Sequence, residues 1–217
     1  MADYEDEQLE ALKRWWHENA RSIIIGLVVA IIGVSGWQGW QWHTDRQSEG
    51  AARFYQQAAA EMPMGDTEIV VDAARTLTSD YRRTNYAALG ALAAARVLVR
   101  DLDYAGAVVW LEWVVDNARE DSIRAIARVR LARVLGELGE TDRALALLDE
   151  QIAPGWAAMH HEVRGDLLAA TGDLAAAAEA YEAALAADGR LSERQLVELK
   201  LNRARAGGES VGDISDS

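Results

Sequence analysis

The sequence of 217 residues contains no cysteine, one phenylalanine and only two prolines, Pro63 and Pro154. Without cysteine the chain can form no disulfide, no thiolate metal site and no cysteine nucleophile. The scarcity of proline removes the strongest helix breaker and favours a helical fold. Cations are also in the minority, with 22 Lys and Arg against 35 Asp and Glu, and the formal net charge is −13. That balance argues against a nucleic-acid binder, which needs clustered cations.

Tryptophan is abundant, and five of the eight tryptophans lie within the first 42 residues. Among them runs the segment 22–42, 21 residues long and without a charged side chain. A spanning helix needs about 20 apolar residues, and tryptophan is enriched at membrane interfaces. The pattern predicts a transmembrane helix over 22–42, because a buried core helix would need partners on every face. The predicted interfacial belt is Trp15, Trp16, Trp37, Trp40 and Trp42.

Cations on the two flanks predict the orientation of this helix. Three precede it closely and two follow at a greater distance, so residues 1–21, acidic and then basic, are expected in the cytoplasm. A cleaved signal peptide is the alternative, but the long acidic start and a weak small-residue site at 33–35 favour an uncleaved anchor. In a bacterium this topology gives a single-pass inner-membrane protein with a periplasmic C-terminal domain. The flanking cations are Lys13, Arg14, Arg21, Arg46 and Arg53.

Small residues repeat along one face of the predicted anchor, with spacings of three and four. Such a stripe lets a second membrane helix approach closely, so this face is a candidate docking face. The alternative is that Gly and Ala are simply frequent in membrane helices. The residues are Ser22, Gly26, Ala30 and Gly33.

The segment 43–206 shows a helical repeat. Apolar and alanine positions recur at helical spacing between short Gly-Asp or Asp-rich turns, and no strand pattern is present. Ala107, Ala144 and Ala177 lie 37 and 33 residues apart, on either side of the 34-residue tetratricopeptide period. The sequence therefore predicts a tetratricopeptide-like α-solenoid, closed by a capping helix over 191–206. Its predicted packing residues are Ala107, Ala144, Gly165, Gly172, Ala177 and Tyr181.

The last segment, 207–217, is rich in Gly, Ser and Asp and is predicted to be a disordered tail. No motif for catalysis, phosphate binding or metal binding accompanies the repeats. His160 and His161 are adjacent on a predicted helix, so they point about 100° apart and cannot clamp one ion. We therefore expect no enzyme activity, cofactor, metal or small-molecule substrate.

The first helices of stacked pairs line a concave groove, which is the predicted partner site. Its side chains would grade from basic to acidic along the groove, a mixture suited to a peptide or partner domain. The alternative is a solvated scaffold surface without a ligand. The predicted groove residues are Leu92, Arg96, Arg100, Val129, Arg133, Glu137, Glu162 and Asp166.

Three stretches of the chain resemble the YfgM family of membrane-anchored, tetratricopeptide-like proteins. The likeness covers nearly the whole chain, apart from the acidic start and the tail 207–217. The Gly-Trp-Ala-Ala run is its most specific part, because a generic repeat does not require it. Trp15-Trp16 departs mildly from the family pattern, because other aromatic pairs would serve equally well at these two positions. The matching stretches are 7–39, 126–134 and 155–173, the last containing Gly155-Trp156-Ala157-Ala158 and Gly172-Asp173.

This resemblance implies an ancillary subunit of the SecYEG translocon. Its implied partners are the translocon, a PpiD-like periplasmic chaperone and nascent secreted chains, and no catalytic residue comes with the family. The implied role is to assist the export and folding of secreted proteins. The alternative is a periplasmic scaffold of another envelope assembly, in outer-membrane protein insertion or cell division.

Overall fold

The computed structural model describes residues 2–62, 65–148, 155–187 and 193–215. These residues form nine helices and no strand, which confirms the all-α prediction. The chain divides into two units, Met1–Glu49 and Gly50–Ser217. The helices are α1 (Ala2–Glu61), α2 (Thr67–Asp80), α3 (Asn85–Arg100), α4 (Tyr104–Asn117), α5 (Asp121–Glu137), α6 (Thr141–Leu148), α7 (Ala157–Ala170), α8 (Leu174–Ala186) and α9 (Arg194–Ser215).

The first unit is helical and contains one apolar segment of spanning length, Asn19–Gln38, with a mean hydropathy of 1.9. Its 20 residues correspond to about 30 Å of helix, the thickness of a hydrocarbon core. This segment lies slightly nearer the N-terminus than the predicted anchor 22–42 and overlaps most of it. Trp15, Trp16, Trp37 and Trp42 are exposed, whereas the side chain of Trp40 lies outside the described ones.

The second unit is a stack of helices in which neighbours along the chain pack together. Contacts join α3 to α4, α5 to α6, α7 to α8 and α8 to α9. The first helices of successive pairs also meet, since α3 contacts α5 and α5 contacts α7. This pattern of nearest-neighbour contacts is that of a helical solenoid, in which each pair buries its apolar face against the next.

Three turns that begin the second helix of each pair share one backbone geometry. Leu102, Gly139 and Gly172 each have a positive φ, of 61°, 77° and 86°. In each turn the residue after the one with positive φ donates its backbone N–H to the carbonyl five residues earlier. In the third turn this bond runs from Asp173 N to Leu168 O at 3.1 Å. This is the hydrogen bond of a Schellman C-cap. The repeat is therefore also present at 102, where leucine occupies the position that glycine fills in the other two turns.

Small residues allow the helix pairs to approach closely. Ala107, Ala144 and Ala177 are fully buried. Gly165 on α7 faces the ring of Tyr181 on α8, and a Cβ there would lie 2.6 Å from the ring atom Cε1. Because such a distance is a clash, the contact between α7 and α8 requires glycine at 165.

The closing helix differs from its prediction at both ends. Leu191 and Ser192, at the predicted start, lie outside the described residues, and α9 begins at Arg194. The helix continues beyond residue 206, where the composition predicted a disordered tail, and ends at Ser215. Gly207 is half-buried, and a Cβ at that position would meet Leu174 Cδ1 at 2.6 Å. Packing of α9 against Leu174 on α8 thus reaches Gly207, just past the boundary expected from glycine content.

Candidate partner-binding groove

Two adjoining cavities lie along the row of first helices in the second unit. The first has a volume of about 320 Å³ and lies between α3, α4 and α5. Its cations are Arg96, Arg130 and Arg133, and the remaining lining is aliphatic. The aliphatic residues are Leu92, Ala95, Val99, Leu111 and Val134.

The second cavity, of about 350 Å³, extends the same surface toward the C-terminal end of α1. It shares Leu92, Arg96 and Arg130 with the first, so the two cavities form one continuous groove. Its other walls carry aromatic, aliphatic and sulfur-containing side chains with one serine hydroxyl. These residues are Tyr55, Met62, Leu89, Ala93, Ser122, Ile123, Ile126 and Trp156.

Three of the predicted groove residues lie in these cavities. Leu92 and Arg96 stand one turn apart on α3 and line both cavities, and Arg133 on α5 lines the first. Leu92 is also part of the buried core, so its side chain forms the floor of the groove.

Three other predicted groove residues lie elsewhere. Val129 is 2% exposed and belongs to the hydrophobic core, so placing it in the groove was wrong. Arg100 faces the turn before α2, where its guanidinium donates to Thr67 Oγ1 at 2.7 Å. A hydrogen bond from Arg100 lowers the pKa of the Asp101 carboxyl. Glu137 is exposed near the end of α5 and lines neither cavity.

The two carboxylates that were predicted to form the acidic end of the groove are paired with a lysine. Glu162 on α7 is 1% exposed, and Lys200 Nζ from α9 donates to it at 3.1 Å. The same ammonium donates to Asp166 at 2.9 Å, and Tyr181 Oη donates to Asp166 at 2.9 Å. Burial, followed by the charge of Asp166, raises the pKa of Tyr181. The two carboxylates therefore hold α7, α8 and α9 together and do not present free negative charge.

Sequence reasoning missed most of the groove lining, including Arg130, Tyr55 and Trp156. The prediction took every fourth residue along α5, starting from Val129. In the structure, α5 also turns Ile126 and Arg130 toward the groove. The apolar pair Ile123 and Ile126, at a spacing of three, was the available signal for that face.

The two adjacent histidines lie together on α7. His160 is buried and His161 half-buried, with their rings edge to face at 5.6 Å between centroids. Burial and the neighbouring Arg164 lower the pKa of His161, which favours its neutral form. No group of three or more metal-ligating side chains is found in the part of the chain that the structure describes.

The predicted docking face of the anchor is open in the first unit. Ser22, Gly26, Ala30 and Gly33 are all exposed. A Cβ added at Gly26 or Gly33 would meet nothing within 4 Å. Larger side chains at these two positions would therefore cause no clash with the described residues of this chain.

An all-helical stack of hairpins with a continuous groove defines a protein of the α-solenoid class. The profile of the tetratricopeptide repeat-like domain matches residues 13–206. An ancillary SecYEG translocon subunit of Aggregatibacter actinomycetemcomitans is 31% identical over 91% of this chain and 96% of its own length. Proteins of the same name from Escherichia coli strain K12 and Haemophilus influenzae are 29% and 26% identical, over 91% of this chain and 95% and 96% of theirs. No solved structure matches the chain significantly.

The chain belongs to the tetratricopeptide repeat-like family that includes these ancillary SecYEG translocon subunits. The resemblance drawn from the sequence is thereby confirmed. The match begins at Lys13 and ends at Ala206 within α9, so it takes in the apolar segment together with the stack of helices.

Proposed function

We propose that this chain is a non-enzymatic ancillary subunit of the SecYEG translocon. In this proposal its repeat domain docks a PpiD-like periplasmic chaperone and assists the export and folding of secreted proteins. The observation that carries the proposal is the 31% identity to a relative named as such a subunit, over 91% of this chain and 96% of the relative. Coverage of this extent supports the sharing of both the apolar segment and the repeat domain with that relative.

The apolar segment Asn19–Gln38 supports a role at the inner membrane. The proposed topology places residues 1–21 in the cytoplasm and the repeat domain in the periplasm, since Lys13, Arg14 and Arg21 cluster at the N-terminal end of the segment. The net charge of the domain supports the need for an anchor, because an acidic domain is repelled by an anionic membrane surface.

The charged clusters of the second unit support a binding role over a catalytic one. Glu162 and Asp166 on α7 are paired with Lys200 on α9, an arrangement that stabilises packing. The groove, by contrast, carries arginines beside apolar walls and is open to a partner. Nascent secreted chains are a second proposed class of partner for this surface.

The proposal is tested by purifying the affinity-tagged full chain from bacterial membranes in a mild detergent and identifying what comes with it. We expect translocon subunits and a membrane-anchored periplasmic chaperone. Recovery of outer-membrane insertion or cell-division proteins instead, without translocon subunits, would show that the chain serves another envelope assembly.

Variants of the anchor sharpen this experiment. Gly26→Leu and Gly33→Leu should reduce recovery of translocon subunits severalfold, because they block close approach of a second helix. Val28→Leu is the matched control, since it adds bulk on the opposite face of the helix. Equal recovery with all three variants would mean that the docking face proposed for the anchor is wrong, even if the association itself holds.

A further inference from the structure

The continuous groove carries an unusual concentration of positive charge for so acidic a protein. Arg96 on α3 and Arg130 on α5 line both cavities, and Arg133 lines the first. Within the part of the chain that the structure describes, neither Arg96 nor Arg130 forms an ion pair or a side-chain hydrogen bond. Arg133 lies 3.9 Å from Glu162, whose nearer cation is Lys200 at 3.1 Å.

The arginines also repel one another. Partial burial lowers the pKa of the Arg130 guanidinium, and the positive charges of Arg96 and Arg133 lower it further. The group remains protonated, because the arginine side chain does not lose its proton in proteins. A set of like charges held together in this way is stabilised when an anion enters between them.

The groove does not grade from basic to acidic as the sequence suggested. Its expected acidic end, Glu162 and Asp166, is occupied by Lys200 and lines neither cavity. The net character of the groove is therefore basic, and the complementary partner carries negative charge.

The walls around the arginines are apolar, which limits the kinds of anionic partner that would fit the groove. Leu111 and Val134 lie in the first cavity, and Met62, Ile126 and Trp156 in the second. A free inorganic anion would leave these walls uncovered. Nucleic acid would need a longer track of cations than three arginines provide. A polypeptide can place a carboxylate between the arginines and an apolar side chain in each cavity.

We infer that this surface, the arginine groove (Leu92, Arg96, Val99, Arg130, Arg133 and Trp156), binds a polypeptide segment in which an acidic side chain is flanked by apolar side chains. The arginines would hold the carboxylate through charge-assisted hydrogen bonds, which fix geometry as well as charge. The inference deepens the proposed function, on which it rests, by stating the chemistry of the partner segment.

Binding is measured by fluorescence anisotropy with the full chain in non-ionic detergent micelles. The probe is a labelled ten-residue peptide with one central Glu between two pairs of Leu, and empty micelles give the background. The comparison peptides replace that Glu with Gln or with Lys. We expect the Glu peptide to bind about tenfold more tightly than the Gln peptide at low ionic strength, with a smaller ratio at high salt.

Arg96→Gln and Arg130→Gln should each reduce the preference for the Glu peptide to less than about threefold. Arg203→Gln is the matched control, because it removes the same charge from an exposed position on α9 outside the groove. Arg130→Lys should retain part of the preference, since it keeps the charge but not the forked donor. Neither glutamine variant should unfold the protein, because each relieves repulsion.

The inference is overturned if the Glu and Gln peptides bind equally, if neither binds up to about 1 mM, or if the Arg96 and Arg130 variants keep the preference. Arginine-dependent binding to phosphatidylglycerol vesicles without binding to the peptide would also overturn it and assign the groove to lipid. Each result is separable from the proposed function. Co-purification with the translocon can persist without peptide selectivity, and selectivity can persist without the translocon.

Discussion

The side chain that most constrains the second unit is Glu162. It is almost fully buried, and a buried carboxylate is tolerated only when it is paired and hydrogen-bonded. Its cation, Lys200, is 38 residues further along the chain on α9 and also holds Asp166. One ammonium group therefore attaches the closing helix to α7.

Replacing this cation tests the attachment. Lys200→Met should lower the free energy of unfolding by about 3 kcal/mol, because it removes the nearest cation from a buried carboxylate. The measurement is urea unfolding of the full chain in detergent, followed by circular dichroism.

A second variant serves as its control. Adding Glu162→Gln to Lys200→Met should recover part of the loss, since the double variant buries no unpaired charge. A Lys200→Met protein as stable as the unmodified chain would show that the pair does not hold α9 in place.

Among the helices, the repeated element is the turn between the two members of each pair. Its hydrogen bonds recur at Leu102, Gly139 and Gly172, although the residue types differ. A left-handed backbone conformation costs about 1–2 kcal/mol for a residue with a Cβ and little for glycine. The first of the three turns thus holds a residue that its conformation disfavours.

Leu102→Gly should raise the free energy of unfolding by about 1 kcal/mol. Little packing is lost, because the Leu102 side chain is 71% exposed. The measurement is the same urea titration.

The converse change is Gly172→Ala, at φ +86°, which should lower stability by about 1 kcal/mol. If both substitutions moved stability in the same direction, the left-handed conformation would not be the reason for glycine in these turns.

At the scale of the whole molecule, charge is distributed unevenly along the sequence. Residues 1–42 carry six carboxylates and three cations, so most of the net charge of −13 belongs to the remaining chain. Within that acidic remainder the arginine groove is a local exception. Attraction between this groove and an acidic partner segment would be selective, because the rest of the domain repels such a segment.

The topology proposed for the whole chain predicts the fate of a reporter. Alkaline phosphatase fused after Ser217 should be active, because the enzyme requires the periplasm and the cations before the apolar segment favour a cytoplasmic N-terminus. A green fluorescent protein fused at the same point is the inverse control and should be dark. Fluorescence together with an inactive phosphatase would reverse the orientation.

Local sequence pattern was sufficient to predict much of the secondary structure and repeat organisation of this protein. The absence of helix breakers, the run 22–42 and the spacing of Ala107, Ala144 and Ala177 predicted helices, an apolar segment and a repeat. These features depend on neighbours within one or two turns, and so the sequence records them directly.

Only the tertiary structure decided which side chains share the groove and which are taken up by packing. Val129 turns into the core and Arg130 into the groove, because the rotation of α5 is fixed by its contacts with α3, α4 and α7. Glu162 loses its role in the groove because a lysine from a distant helix reaches it. Such pairings depend on how helices stack, and the spacing of residues within one helix does not contain that information.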